Sequence, residues 1–288
     1  MTKNNLISAD SLAPRLDDPA LRIVDATVVG TYDGSTGEYD FRSGRAMWEQ
    51  GHIPGSEHVD LIELSDPESP FGYTLPSPDA FSERMSALGV GPGTDVVVYE
   101  YIPTMWATRL WWMLRVFGFD AVRVLDGGFK VWSERGYPVS TEPPPQREPA
   151  RFKAQFRPEL IADTAQVEKC VATGEGKLVN GLTEEMFRGE SSIAYRRRGR
   201  IPGSASAPSV SMLDHESFCF LPPEELRERF AEAGLLEEGR PVIAYCGAGV
   251  AATMTAFGLA LAGREDVALY DGSMEEWTHD PKRPVETG

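Results

Sequence analysis

Short apolar runs alternate along this chain with longer segments whose apolar residues recur every three or four positions. LRIVDA (21–26), DVVVYE (95–100) and AVRVLD (121–126) are brief and β-branched, without polar alternation, which predicts strands buried on both faces. SPDAFSERMSALGV (77–90) and PPEELRERFAEAGL (222–235) carry helical periodicity. Each opens on Pro and acidic residues and closes at a glycine, Gly89 or Gly234. VIAYCGAGVAATMTAFGLALAG (242–263) runs from an apolar strand through glycines into an apolar helix. Alternating strand and helix predicts an α/β fold built on open parallel sheets with helices on both faces.

The pattern occurs twice. VVVYE (96–100) matches VIAYC (242–246), and LDGGFKVW (125–132) matches YDGSMEEW (270–277), with Asp126, Gly127 and Trp132 answering Asp271, Gly272 and Trp277. Upstream, HIPGSEHVDL (52–61) matches RIPGSASAPS (200–209), and RIVDA (22–26) sits where the second half has KLVNG (177–181). Four landmarks in one order at a nearly constant offset predict a duplicated domain. Between the copies, GYPVSTEPPPQREPARF (136–152) holds five prolines and reads as an extended, semi-rigid connection. The expected division is a first domain over 1–140, a Pro-rich linker over 141–152 and a second domain over 153–288.

Composition narrows the functional classes. A formal charge of −16 disfavours a nucleic-acid partner, which would need a basic face. No stretch approaches a membrane span, and the opening MTKNNLISADSLAPRL turns polar too soon for a signal peptide. Three cysteines argue against a disulfide framework and suit a reducing compartment, so a cytoplasmic protein is expected. Four scattered histidines and three distant cysteines lack metal-ligand spacing; neither a metal nor a cofactor is expected.

The candidate chemistry lies at Cys246. In open parallel sheets ligands gather at the carboxyl ends of strands, and this cysteine follows its strand directly. Gly247 and Gly249 permit a tight loop of converging N–H groups, and the helix over 251–262 aims its positive end at the same point. Both features favour a thiolate and would also bind an anion. The first copy places Glu100 in the same slot, where thiolate chemistry is excluded, so one active and one inert domain are expected. Cys170 and Cys219 lack the glycine-rich setting and read as structural. A cysteine phosphatase would carry an arginine about six positions after the nucleophile to clamp the phosphoryl group; Ala252 stands there instead.

With these residues on the page, the chain resembles the tandem-domain rhodanese-like sulfurtransferases. The resemblance rests on the paired IPG segments, the block WWMLRVFGFDAVRVLDGGFKVW, the Asp-Gly-Ser…Trp ending and the CGAGVAAT loop, and it spans nearly the whole chain. It implies a catalytic second domain whose cysteine takes up a sulfur atom as a persulfide and passes it to a thiophilic acceptor. That acceptor is cyanide, a thiol or a carrier protein. It also implies a small anionic donor, 3-mercaptopyruvate or thiosulfate, and a first domain that closes one wall of the site.

The loop Cys246, Gly247, Ala248, Gly249, Val250 and Ala251 is similar to the 3-mercaptopyruvate-using branch, with Ala248 replacing a hydroxyl residue. That branch implies two donor-binding arginines. One falls on Arg188 in MFRGE, and another falls within YRRRGR (195–200) on Arg196, Arg197 or Arg198, of which Arg197 is the candidate. From the first domain the histidine of that branch's proton relay falls on Tyr73 in SPFGYTLP, and its acid falls on Ile62, with Asp60 and Asp66 nearby. Asp66 and Tyr73 are thus candidates for the first-domain wall. His52 reads as structural, Asp126 and Asp271 as turn or capping residues, and the tryptophans as core and domain interface. The competing class is a non-catalytic binding or sensing module on the same fold, motivated by these replaced relay positions, by Asn180 opposite Asp25 and by Arg200 opposite His52.

Overall fold

The structure, a computed structural model, describes residues 5–33, 38–103, 105–145, 147–191 and 195–288. Two five-stranded sheets organise it. The first orders its strands Leu6–Ile7, Val122–Leu125, Asp95–Tyr99, Leu21–Asp25 and Glu57–His58, all paired in parallel. The second orders Ile161–Ala162, Val267–Tyr270, Val242–Tyr245, Lys177–Asn180 and Ala205–Ser206, again all parallel. The two orders correspond strand for strand, so the repeated motifs are a repeated sheet. Each sheet is flanked by helices, and its central strand is almost wholly buried, which explains the unbroken apolar runs. An antiparallel hairpin of Val28–Asp33 with Glu38–Ser43 is added to the first half.

The tyrosine that ends each central strand accounts for one repeated landmark. Tyr99 accepts a hydrogen bond from the Ile53 amide at 3.4 Å and lies 2.9 Å from Ser56 Oγ. In the second half Tyr245 accepts from the Ile201 amide at 3.0 Å and donates to Ser204 Oγ at 2.7 Å. Each Ile-Pro-Gly-Ser turn is thereby tied to the strand end beside the position of Glu100 or Cys246. His52 stacks on Trp48, and its ring nitrogens lie 2.8 and 3.1 Å from the carbonyl oxygens of Trp48 and Glu142, a structural setting.

The connection after the first sheet is held down. Ala150 donates to the Ser86 carbonyl, Phe152 and Ala154 donate to the hydroxyls of Ser86 and Ser82, and Arg157 donates to the Val116 carbonyl. The two halves then meet through helices Trp106–Val116 and Ala251–Leu261. Every residue of the first helix is buried, which is why its sequence is rich in tryptophan on all sides. Trp111 meets Phe257 edge-on at 4.8 Å, and the hydroxyls of Thr108 and Thr253 are 3.0 Å apart. Among the described residues no helix is long and apolar enough to cross a membrane.

Candidate active site

Cys246 follows the strand Val242–Tyr245, and the helix Ala251–Leu261 begins five residues later. The loop between them is fixed from below by Ser273. Its hydroxyl accepts the amides of Cys246 at 3.0 Å and Gly249 at 3.1 Å, and donates to the Tyr270 carbonyl at 2.8 Å. Gly249 has φ +74°, and a Cβ there would lie 2.2 Å from the Asp271 carbonyl oxygen, so only glycine fits. The amides of Gly247, Ala248, Val250 and Ala251 have no hydrogen-bond acceptor among the described residues. Unpaired N–H groups at the start of an eleven-residue helix form an anion-binding end.

The first copy shows what such a loop binds. There the Glu100 carboxylate accepts the amides of Met105 at 3.1 Å, Trp106 at 3.4 Å and Ala107 at 3.2 Å, where helix Trp106–Val116 begins. The surroundings match: Phe129 and Lys130 donate to the carbonyls of Glu100 and Tyr101, as Met274 and Glu275 donate to those of Cys246 and Gly247. The first domain thus fills its helix terminus with its own carboxylate. In the second domain the shorter cysteine leaves the terminus open. The cavity beside Glu100 is about 10 Å³, room for one water, whereas the cavity at Cys246 is about 120 Å³.

That second cavity is lined by Cys246, Gly247, Ala248, Val250 and Ala251 from the loop, with Leu182 from the same domain. Phe41, Tyr73, Met105 and Trp106 close it from the first domain. Phe41, Tyr73 and Trp106 form a mutually edge-on cluster with ring centroids 5.3–5.9 Å apart. The Tyr73 phenol is pushed up by burial and then by the neighbouring carboxylates Glu275 and Asp40, which keeps it protonated at neutral pH. Cys246 itself is 2% exposed and lines this cavity. Burial pushes the thiols of Cys170 and Cys219 up, and neither lies in the site.

Arg109 joins the domains under the loop. Fully buried, it donates to the Gly249 carbonyl at 3.1 Å, Asp271 Oδ1 at 2.6 Å and the Tyr73 carbonyl at 2.5 Å, while lying over the Trp112 ring at 4.7 Å. Asp271 Oδ2 accepts the Leu75 amide at 2.8 Å. One ion pair therefore sets the cysteine loop, the Tyr73 backbone and the first-domain wall in register.

Of the residues read from sequence, the structure gathers Cys246, the loop 247–251 and Tyr73. Asp66 lines a separate cleft beside Asp271 and Glu276, and accepts the Glu68 amide. Arg188 is exposed and paired with Glu190 and Glu184. Arg197 donates to the carbonyls of Arg283 and Asp280. No cationic side chain is found among the described residues lining the cavity. Sequence reasoning passed over Ser273 and Arg109. Their signals were present: Arg109 is a charge within an apolar helix and must be paired when buried, and Ser273 replaces the Gly128 of the first copy.

The model of the rhodanese-like domain matches residues 8–135 and 185–280. The chain is 36% identical over 284 residues to the thiosulfate sulfurtransferase of Cricetulus griseus, covering 97% of this chain and 91% of that protein. It is 35% identical over 269 residues to the 3-mercaptopyruvate sulfurtransferase of Homo sapiens, covering 92% and 87%. The crystal structure of SseA from Escherichia coli, described among the 3-mercaptopyruvate sulfotransferases, aligns with a TM-score of 0.82 at 30% identity, covering 94% of this chain and 99% of that one. With both repeats matched and nearly full-length relatives of one enzyme class, the chain belongs to the rhodanese-like family as a two-domain sulfurtransferase.

Proposed function

We propose that Cys246 is the nucleophile and that the protein moves the sulfur atom of 3-mercaptopyruvate to a thiophilic acceptor through a Cys246 persulfide, its first domain being non-catalytic. The observation that carries this reading is the contrast between the copies: a carboxylate fills the helix terminus in the first, and a cysteine with unpaired amides and an open cavity stands there in the second. In the first half-reaction the Cys246 thiolate attacks the donor sulfur. The carbon–sulfur bond breaks, its electron pair goes to the enolate of pyruvate, and that enolate takes up a proton. In the second, an acceptor attacks the outer sulfur and the Cys246 thiolate leaves.

The donor choice follows from charge. Thiosulfate is a dianion, and the lining supplies main-chain amides but no cation to hold it. 3-Mercaptopyruvate brings a single carboxylate, which the helix terminus suits, and the protonated Tyr73 phenol faces the same cavity. Thiosulfate should therefore be the poorer donor. Incubation with 3-mercaptopyruvate should add one sulfur atom, about 32 Da, to Cys246 and nothing to Cys246→Ser. Pyruvate should be released faster than sulfite from an equal concentration of thiosulfate. Absence of added sulfur from either donor, with the fold intact, would remove the reading and leave a non-catalytic binding module.

A further inference from the structure

A second, larger cavity of about 470 Å³ adjoins the one at Cys246. The two share Phe41, Met105, Trp106, Leu182 and Ala251 as common walls. The larger one is not lined by Cys246, Gly247 or Ala248, and its walls come from both domains. Its other walls are chiefly apolar, among them Val28, Met186, Val210, Leu213, Phe218 and Met254. Its volume lies in the range of sites for molecules of drug size, far above what 3-mercaptopyruvate or cyanide occupies.

Two further observations point to an apolar occupant. Among the described residues five large hydrophobic side chains are exposed, and two of them, Ile102 (37%) and Val210 (51%), belong to this cavity. At its edge Asp214, held below the usual carboxylate range by the Ser217 amide and hydroxyl, is negative and stands beside His215, and the chain as a whole carries −16, a field that disfavours an anion. Met186 faces this cavity, whereas Arg188, two residues on, is turned to Glu184 and Glu190.

We propose that this cavity is the acceptor site, and that it takes a thiol with an apolar, uncharged body, an aryl or long alkyl thiol, whose sulfur reaches the Cys246 persulfide across the shared aromatic wall. The proposal rests on the persulfide reading above. The acceptor thiolate attacks the outer persulfide sulfur, the Cys246–sulfur bond breaks, and its electron pair leaves on the Cys246 thiolate. The product is the acceptor's hydropersulfide, and no oxidant or reductant is consumed. The small cavity serves the donor and the large one the acceptor, so the two half-reactions use adjoining but distinct subsites.

The test separates this proposal from the reading beneath it. The full chain is charged with sulfur, freed of donor, and mixed with 2-phenylethanethiol or 2-mercaptoethanesulfonate at equal thiolate concentration; loss of the added sulfur is followed by quenched intact mass. The phenyl thiol should discharge Cys246 at least about tenfold faster than the sulfonate, because its ring is buried against apolar walls while the sulfonate meets those walls and the Asp214 carboxylate. Its rate should saturate with concentration, while that of the sulfonate stays linear. Met186→Trp, which fills the cavity, should bring the ratio of the two rates toward unity. Val210→Glu lies at a half-exposed position where folding is not at stake, and should lower the ratio about threefold by placing charge at the mouth. Equal rates for the two thiols in the parent, or a ratio unmoved by both variants, would overturn the acceptor site. Slowed charging by the phenyl thiol without faster discharge would assign the cavity to the donor instead. Failure to charge Cys246 at all is a different result, and would overturn the persulfide reading together with this one.

Discussion

Ser273 has φ +50°, a region that costs a residue with a side chain about 1–2 kcal/mol, and the equivalent residue in the first copy is Gly128 at φ +61°. A serine is kept there because its hydroxyl holds the amides of Cys246 and Gly249. Ser273→Ala should retain the strain and leave two buried amides unpaired, destabilising the protein by about 1–3 kcal/mol. Ser273→Gly should relieve the strain while losing the same bonds, so its net stability change should be small. Both should slow charging of Cys246 by about tenfold, since a loop shifted by a fraction of an ångström no longer presents its amides. Urea midpoints and single-turnover charging rates separate the effects; equal stability loss in both variants would contradict the strain argument. At this scale the cysteine loop was legible, because strand, cysteine and glycines are contiguous in sequence. Its surroundings were not: Phe41, Tyr73, Met105 and Trp106 arrive from the other domain, and no local pattern encodes that approach.

Two helices of the same topological position, Trp106–Val116 and Ala251–Leu261, end in opposite states at their N-termini, one filled by Glu100 and one open beside Cys246. A thiol alone should not make the first copy active, because beyond the volume the carboxylate vacates the space beside it holds only one water, against about 120 Å³ at Cys246. Glu100→Cys should therefore still acquire only one sulfur atom, on Cys246, when exposed to donor and measured by intact mass. It should also lose about 1–3 kcal/mol of stability, as the amides of Met105, Trp106 and Ala107 lose their carboxylate acceptor. A second added sulfur would show that the cysteine, and not the cavity, distinguishes the copies. The strands Leu21–Asp25, Asp95–Tyr99, Val122–Leu125 and Val242–Tyr245 and the helices Pro78–Ala87, Pro223–Glu232 and Ala251–Leu261 were readable in advance, since buried strands and capped helices carry strong local signals. The two-residue strands Glu57–His58 and Ala205–Ser206 were not, because pairing rather than propensity defines so short a run. Arg109 belongs to this scale as well. Arg109→Met would strand Asp271 as a buried, unpaired carboxylate and should cost about 3–5 kcal/mol, visible as a lowered unfolding midpoint.

The whole molecule is closed by polar contacts that cross between the domains, and their titration sets a pH dependence. Asp126 Oδ1 accepts the Phe220 amide at 2.8 Å, and Glu275 Oε2 accepts the Gly72 amide at 3.1 Å. Burial is the leading influence on both carboxyls and pushes them above their ordinary values of 3.8 and 4.5, against the opposing pull of those amides. The folded chain therefore binds these protons more tightly than the unfolded chain does. Their contribution to stability is greatest below the ordinary values and declines as pH rises through the higher, folded-state values. Carboxylates paired with arginine, such as Asp18 and Glu190, act in the opposite sense, but they are solvent-exposed and contribute little. Replacing Asp126 by Asn and Glu275 by Gln keeps an acceptor oxygen for each crossing amide and removes the buried charge. The doubly substituted protein should then show a flatter decline of melting temperature from about pH 4 upward. At neutral pH its melting temperature should equal or exceed that of the parent. A variant that melts lower at neutral pH and keeps the parent's slope would show that the charges themselves, and not the hydrogen bonds they accept, hold the two domains together.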